Sequence, residues 1–133
     1  LYLNSHGGGA LAALGIYDKL KALHRPVTII CEGMAASAAA MIVLQAGDKR
    51  LSRPNCRFLI HEIRRWVFLE REQSSALQDE VKEMEAITTV ICNILAERSS
   101  KSVEEVRSFF ERKEVWLSAE EAESWGLIDG IIE

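Results

Sequence analysis

The sequence lacks the features that mark several large classes of protein. No apolar run reaches about 18 residues, so a transmembrane helix is excluded. The longest uncharged stretch, residues 33–47, is mostly alanine and too weakly apolar to insert. Basic residues number 16 against 20 acidic ones, for a net charge of −4. This balance argues against nucleic-acid binding, because phosphate contacts need a basic face.

Cysteine is also scarce, and its spacing is informative. Cys31, Cys56 and Cys92 are far apart in the sequence and form no C-x-x-C pair. Neither a disulfide framework nor a zinc module is therefore indicated. We expect buried thiols in a reducing, cytoplasmic compartment. No signal peptide is visible at the start of the sequence.

The residues that are present fit a single globular domain, residues 1–133. The chain has 133 residues, 48% of them hydrophobic, which is one domain's worth of sequence. A chain of this size buries roughly two-thirds of its unfolded surface, enough for a core. It begins at Leu1 without an initiator Met, in what reads as the middle of a strand. We therefore expect its natural start to be lacking.

The first part of the chain has a βαβα pattern. A short apolar run at residues 1–3 leads into a glycine-rich loop, and Pro26 ends the helix that follows. The apolar residues of that helix recur at helical spacing: Leu11, Leu14, Tyr17, Leu20 and Leu23. Residues 27–31 predict a strand buried on both faces, which Glu32-Gly33 should end before a helical segment at residues 34–46. The pattern implies a parallel sheet with right-handed crossovers.

The second part predicts another strand and three helices. After a turn at residues 52–55, residues 56–61 read as a strand. Residues 62–73 form either an extended arm or an amphipathic segment, and both readings stay open. A long helix should start near Ser75, with an apolar stripe formed by Leu77, Val81, Met84, Thr88, Ile91 and Leu95. Capping boxes at residues 102–105 and 118–121 predict two more helices, the second ending at Gly126. A turn and a short strand close the chain.

Ser37 is the first candidate for chemistry. It follows the buried strand at the start of an alanine-rich helical segment. In open α/β sheets, sites lie at the carboxyl ends of strands, where helix N-termini present N–H groups that can form an oxyanion hole. The alternative is that Ser37 is only a helix N-cap. The G-x-S-x-G pattern is absent, because Ala35 and Ala39 replace its glycines.

His61 is the second candidate, because it ends a predicted strand, where a base could meet a serine on a neighbouring turn. A purely structural histidine is the alternative. The spacing of His6, His24 and His61 gives no metal-ligand pattern. Gly7 and Gly8 could add an amide donor from a third loop, or form only a tight turn.

Taken together in this order, these pieces resemble the proteolytic subunit of the Clp protease, the ClpP family. The resemblance covers essentially the whole chain. It rests on four blocks: residues 4–8 (family pattern N-S-P-G-G), 33–37 (G-x-A-A-S), 54–61 (P-N-S-R-x-x-I-H) and 117–129 (S-A-x-E-A-x-x-Y-G-L-I-D). It implies an α/β fold of the ClpP/crotonase type, with repeated ββα/βαβ units, a mainly parallel sheet and a protruding handle helix. The handle region would be about residues 62–98, and the N-terminal portion of the family fold would be missing.

The resemblance also implies an activity and partners. The chain would be an ATP-dependent serine endopeptidase with Ser37 as nucleophile, His61 as base, and the Gly8 and Ala38 amides as the oxyanion hole. Its substrates would be peptides or unfolded proteins. It would form a homo-oligomer of stacked rings and could work with an AAA+ unfoldase. No metal, cofactor, nucleic acid or membrane partner is expected.

Besides the missing N-terminal portion, three departures from the family pattern bear on the expected activity and assembly. The third triad residue, an Asp in the family, falls on Glu114, whose extra methylene moves the carboxylate by about 1.5 Å. His6 replaces a proline. The glycine-rich segment after the histidine is replaced by a glycine-free one, in which Trp66, Phe68 and Leu69 could form an apolar patch. Two alternatives therefore stay open: a catalytically weak or inactive Clp-type paralogue with an assembly role, and a crotonase-type CoA-thioester enzyme.

Overall fold

A computed structural model gives the architecture of residues 1–63 and 74–133, with side chains described outside residues 64–77. Residues Trp66, Phe68 and Leu69, and with them the expected apolar patch, lie outside the described residues. The strands are β1 (Tyr2–Ser5), β2 (Thr28–Ala36), β3 (Lys49–Ser52), β4 (Arg57–His61), β5 (Glu114–Leu117) and β6 (Gly130–Ile131). The α-helices are α1 (Ala10–Lys21), α2 (Ser74–Ser99), α3 (Val103–Phe110) and α4 (Ala119–Trp125).

Strand β2 is the centre of the sheet. Its first half pairs with β3 and its second half with β4, while β1 pairs with it as well, and all three pairings are parallel. Beyond these strands, β6 adds in parallel to β3, and β5 adds antiparallel to β4. The described fold is therefore a mixed α/β arrangement with a mostly parallel sheet, which confirms the predicted fold class.

The predicted end of β2 at Glu32-Gly33 is wrong. The strand continues to Ala36, so residues 34–36 are extended rather than helical. Gly33 adopts φ +73°, and the Asn4 Oδ1 accepts a hydrogen bond from the Met34 N–H at 3.3 Å. A glycine that usually breaks a strand is thus accommodated within it, because a side chain from β1 satisfies the backbone at the bend.

A short helix of unusual geometry follows Ser37. It consists of a π-helical turn, Ala39–Val43, and a 3₁₀ turn, Leu44–Ala46, and is called here the post-serine helix. Every residue of it is buried. Helix α1 and part of α2 pack against it. It therefore lies in the middle of the core.

Two predicted apolar stripes are only partly buried. In α1, Leu11 is 70% exposed and Leu23, beyond its end, 47%, while Ala13 is the residue that is buried. In α2, Val81 is 66% exposed, whereas Ile91 and Leu95 lie in the core. Ala13 is small, so α1 can pack closely on the post-serine helix, and only the last turns of α2 reach the core. Helical spacing alone does not show which turns of a helix are buried and which are exposed.

The later helices agree closely with the sequence. Ser102 with Glu105, and Ser118 with Glu121, form complete capping boxes, and α4 ends at Gly126 as predicted. The strands β3 and β5 were not predicted, because both are short and alternate exposed with buried positions. Within the described ranges, none of the helices combines the length and apolar character needed to cross a membrane.

The cysteines are buried, as the sequence analysis expected. The neighbouring Cys56 thiol and burial both raise the pKa of the Cys31 thiol. Burial also raises the pKa of Cys92. The three thiols are part of the core in the described structure.

A buried ion pair joins the sheet to the end of the chain. The Arg50 side chain on β3 is 4% exposed and pairs with the Asp129 carboxylate through both Nε and Nη2. The Arg50 N–H also donates to Asp129 Oδ2 at 2.7 Å. Burial acts to raise the pKa of Asp129, but the contacts with Arg50, aided by Arg98, hold it below its usual value. The ionised form of Asp129 therefore stabilises the fold.

Replacing Asp129 by Asn is expected to lower the free energy of unfolding by about 2–3 kcal/mol near neutral pH, because the buried Arg50 loses its counter-charge. This value is below the range of about 3–5 kcal/mol for breaking a fully buried pair, because the Asp129 side chain is 36% exposed. The difference from wild type should shrink as the pH falls below about 4, because the unfolded chain then takes up a proton at Asp129, whereas the lowered pKa keeps the folded carboxylate ionised to a lower pH.

Urea unfolding of both proteins near neutral pH and near pH ~3 measures this difference. Asp18→Asn, on an exposed position of α1, is the matched control and should change stability by less than about 0.5 kcal/mol. A deficit in Asp129→Asn that is equally large at both pH values would contradict the ion-pair account.

Candidate active site

Ser37 occupies a strained turn between β2 and the post-serine helix. Its φ is +56°, in the left-handed region that costs a residue with a side chain about 1–2 kcal/mol. Three backbone hydrogen bonds hold the turn: the Ser37 N–H donates to the Leu59 carbonyl at 2.8 Å, and the Ser37 carbonyl accepts from Ala40 and Met41 at 3.1 and 2.9 Å. Strain held in this way is found most often at functional sites.

His61 lies beside Ser37 because their strands are neighbours. The parallel pairing of β2 with β4 sets Ala36 opposite Leu59, so the carboxyl ends of both strands meet at one edge of the sheet. There, the His61 Nε2 is 2.8 Å from the Ser37 Oγ, a hydrogen-bonding distance. Both side chains are partly buried. The structure therefore brings together the two residues that the sequence analysis selected.

The loop of residues 7–9 approaches the serine turn from a third direction. Gly7 has φ +94°, and a Cβ built on it would lie 2.6 Å from the Ala36 carbonyl oxygen and 3.0 Å from the Ser37 Cβ. Only glycine permits this approach. The Ser5 Oγ accepts from the Gly7 N–H at 3.1 Å and supports the loop. Gly8 and Ala38, whose amides were the predicted oxyanion donors, line one cavity with Ser37.

This cavity has a volume of about 130 Å³ and a largely apolar wall. Ser37 and His61 supply its polar side chains, and the larger apolar ones are Met41, Ile42, Ile63 and Ile91. The sequence analysis missed this lining. Met41 and Ile42 could have been suggested by their place one helical turn after Ser37, whereas Ile91 comes from the distant α2 and left no local signal.

Glu114 lies directly opposite His61 in the antiparallel pairing of β4 with β5. Residues opposed in this way have Cβ atoms about 5 Å apart on the same face of the sheet. The buried Nδ1 of His61, however, has no hydrogen-bond partner in the part of the chain that the structure describes. Glu114 is exposed and has a polar contact of its own. The sheet register therefore sets Glu114 opposite the histidine, without a hydrogen bond to Nδ1.

The other histidines take no part in this arrangement. His6 is exposed on the glycine loop, and His24 lies beyond the end of α1, among the residues that line a separate surface pocket. Across residues 1–63 and 74–133, no three histidine, cysteine or carboxylate side chains converge in a way that could hold a metal ion.

A mixed α/β sheet with a hydrogen-bonded serine and histidine at adjoining strand ends is an arrangement typical of serine hydrolases. Comparison with known proteins is more specific. The family described as Clp protease matches residues 1–133, the whole chain. The ATP-dependent Clp protease proteolytic subunit 1 of Mycolicibacterium paratuberculosis (strain ATCC BAA-968 / K-10) is 36% identical over 135 residues, which is 100% of this chain and 63% of that protein. The chain belongs to the Clp protease family and spans about 63% of the length of this relative.

The strain at Ser37 generates a stability prediction. Ser37→Gly and Ser37→Ala both remove the hydroxyl, but only alanine keeps a Cβ in the left-handed conformation. Ser37→Gly should therefore be the more stable of the two by about 0.5–1 kcal/mol, after allowance for the larger backbone entropy of glycine. Urea unfolding of the two variants measures the difference. An equal or greater stability of Ser37→Ala would show that the turn is not strained.

Proposed function

We propose that this chain contains the catalytic centre of a Clp-type serine endopeptidase. The observation that carries the proposal is the 2.8 Å contact between the Ser37 Oγ and the His61 Nε2, on neighbouring strand ends beside a cavity. A histidine at this distance is in reach of the hydroxyl proton. Membership of the Clp protease family supports the same reaction class.

The proposed reaction proceeds through an acyl-enzyme. His61 accepts the Ser37 proton at Nε2 as Oγ attacks the peptide carbonyl carbon, and the carbonyl oxygen becomes an oxyanion. His61 then protonates the leaving amine, and the carbon–nitrogen bond breaks. Water, deprotonated by the same nitrogen, attacks the ester and releases the carboxylic acid and Ser37. No cofactor is consumed in this sequence.

The amides of Ala38 and Gly8 are the proposed oxyanion donors. Ala38 follows the nucleophile directly, and the glycine loop lies within contact distance of the serine turn. Removing one such donor typically slows an acyl-transfer enzyme by about 10²–10³-fold. The cavity beyond Ser37 would receive the side chain of the residue before the cleaved bond. Its lining by Met41, Ile42 and Ile63 favours an apolar side chain there.

Glu114 is the proposed acid of the triad. The buried His61 Nδ1 has no partner in the part of the chain that the structure describes, and a buried nitrogen left in this state is unfavourable by about 1–3 kcal/mol. A carboxylate opposite it in the sheet register can relieve this by a change of rotamer. The bond would fix the tautomer in which Nδ1 carries the proton and Nε2 is free to act as base. Catalytic hydrogen bonds are often long in structures without substrate and shorten in the complex.

A second candidate function is a catalytically weak Clp-type paralogue with an assembly role. The absence of a partner for the His61 Nδ1 among the described residues favours it, because a histidine that is not oriented activates serine poorly. A crotonase-type thioester activity has less support, because it needs no contact between a serine and a histidine.

We also propose that the chain works with other subunits in the cytoplasm. Leu11 and Ile16 are exposed apolar side chains on α1, which further copies in a ring would cover. The relative's name describes an ATP-dependent protease. An ATP-driven unfoldase partner would supply that dependence, and unfolded proteins would be the substrates. The buried free thiols suit a reducing compartment.

A fluorophosphonate probe in the full-length protein should form one adduct, on Ser37, because only an activated serine reacts with it. Ser37→Ala should abolish the adduct, and His61→Gln should slow its formation by about 100-fold or more, since the base is lost. Intact-mass and peptide-mapping spectrometry report both results. Ser118→Ala, a helix cap outside the site, is the control and should react like wild type. An adduct that persists in Ser37→Ala would remove Ser37 from the nucleophile position.

Replacing Glu114, the proposed acid, should lower the rate of peptide hydrolysis while Ser37 remains in place. Glu114→Gln is expected to lower kcat for a fluorogenic peptide by about 100-fold, because His61 loses its orientation. Glu114→Asp should retain more activity than Glu114→Gln, since it keeps the carboxylate. The matched control is Glu111→Gln, an exposed glutamate just before the same strand. If Glu114→Gln and Glu111→Gln are equally active, Glu114 is not in the triad and the weak-paralogue candidate gains support.

A further inference from the structure

Gln45 is a polar side chain in the least accessible part of the core. It lies in the 3₁₀ turn of the post-serine helix and is 0% exposed. A buried amide is unfavourable unless its groups are hydrogen-bonded, and those of Gln45 are. The Nε2 donates to the carbonyls of Ala40 at 2.9 Å and Leu127 at 3.3 Å, and the Oε1 accepts from Arg50 Nη1 at 2.7 Å. The proposed chemistry makes no direct use of this side chain.

The bond to Ala40 lies where the helix departs from α geometry. Ala40 is in the π-helical turn Ala39–Val43, and turns of this kind occur frequently at functional sites. The Gln45 side chain, from the following 3₁₀ turn, donates a hydrogen bond to the Ala40 carbonyl. The direction of that carbonyl is therefore set by Gln45 as well as by the backbone.

Two peptide groups connect this carbonyl to the proposed oxyanion donor. The Ala40 carbonyl shares a peptide group with the Met41 N–H, which donates to the Ser37 carbonyl at 2.9 Å. The Ser37 carbonyl in turn shares a peptide group with the Ala38 N–H. Because each peptide group is planar, fixing the direction of its C=O also fixes the direction of its N–H. A hydrogen-bonded path thus runs from the Gln45 Nε2 to the amide beside the nucleophile.

The other end of the path is charged. Arg50 donates to the Gln45 Oε1, is paired with Asp129, and donates to the Gly126 and Arg98 carbonyls at 3.0 and 3.3 Å. These contacts fix the guanidinium between β3 and the ends of α2 and α4. A cation at the head of a chain of hydrogen bonds polarises the bonds that follow, so each donor along the path is strengthened.

We propose that Gln45 is a positioning residue for the oxyanion hole: held by Arg50, it fixes the Ala40–Met41 and Ser37–Ala38 peptide groups so that the Ala38 N–H points at the developing oxyanion. This inference rests on the proposed peptidase function. Gln45 acts through the backbone and does not touch the substrate.

The test uses Gln45→Met and Gln45→Glu in the full-length protein. Methionine has a similar length and no donor, and glutamate keeps an acceptor for Arg50 but cannot donate to Ala40. Both should lower kcat for an apolar fluorogenic peptide by about tenfold with KM unchanged. This effect is smaller than the loss of a whole oxyanion donor, because the Ala38 N–H is misdirected and not removed. Both should also raise the Ki of a peptide boronic acid about tenfold, because its tetrahedral adduct on Ser37 carries the charge that the oxyanion hole binds.

Val106→Ala is the matched control, because it removes buried volume in α3 away from the path. It should lower stability but leave kcat and Ki unchanged. The proposal is overturned if the Gln45 variants behave like Val106→Ala, or if KM rises while the boronate Ki does not. Lack of Ser37-dependent fluorophosphonate labelling in the parent protein overturns this proposal together with the peptidase function. Normal labelling with unchanged kcat and Ki in both Gln45 variants overturns this proposal alone.

Discussion

The change of partner along β2 is the constraint on which the rest of the structure depends. Its first half pairs with β3 within the core, and its second half pairs with β4, which brings Ser37 and His61 together at the candidate site. This change requires β2 to continue past Gly33, which it does because Asn4 satisfies the Met34 amide. If β2 ended earlier, Ser37 would have no Leu59 carbonyl to bind, and His61 would have no fixed neighbour.

The sequence predicts the local parts of this arrangement and misses the long-range ones. Ser37 and His61 were selected because each follows an apolar run, and both capping boxes are recognisable within four consecutive residues. The continuation of β2 could not be predicted, since it depends on a side chain that is 30 positions away. Strand β5 was missed because its short alternating pattern becomes a strand only when β4 is beside it. Glu114 was reached through the family resemblance alone.

Small residues explain how a strained turn fits in a dense core. Ala35, Ala36, Ala38, Ala39 and Ala40 surround Ser37, and all five are buried. Larger side chains would separate the glycine loop from the serine turn, whose closest approach, at Gly7, has no room for a Cβ. The alanine-rich composition that looked merely helical in the sequence thus permits three backbone segments to meet.

The polar groups of the core have a different role from its apolar ones. Apolar residues would fill the volume of Gln45 and Arg50, often with equal or greater stability. What they could not supply is direction, because dispersion contacts do not fix the plane of a peptide group whereas hydrogen bonds do. In this chain the directed contacts run from Asp129 and Arg50 through Gln45 toward the Ser37 turn. Stability at Asp129 and, on the proposal above, geometry at the Ser37 turn therefore depend on the same guanidinium, which connects the residue just before β6 to the post-serine helix.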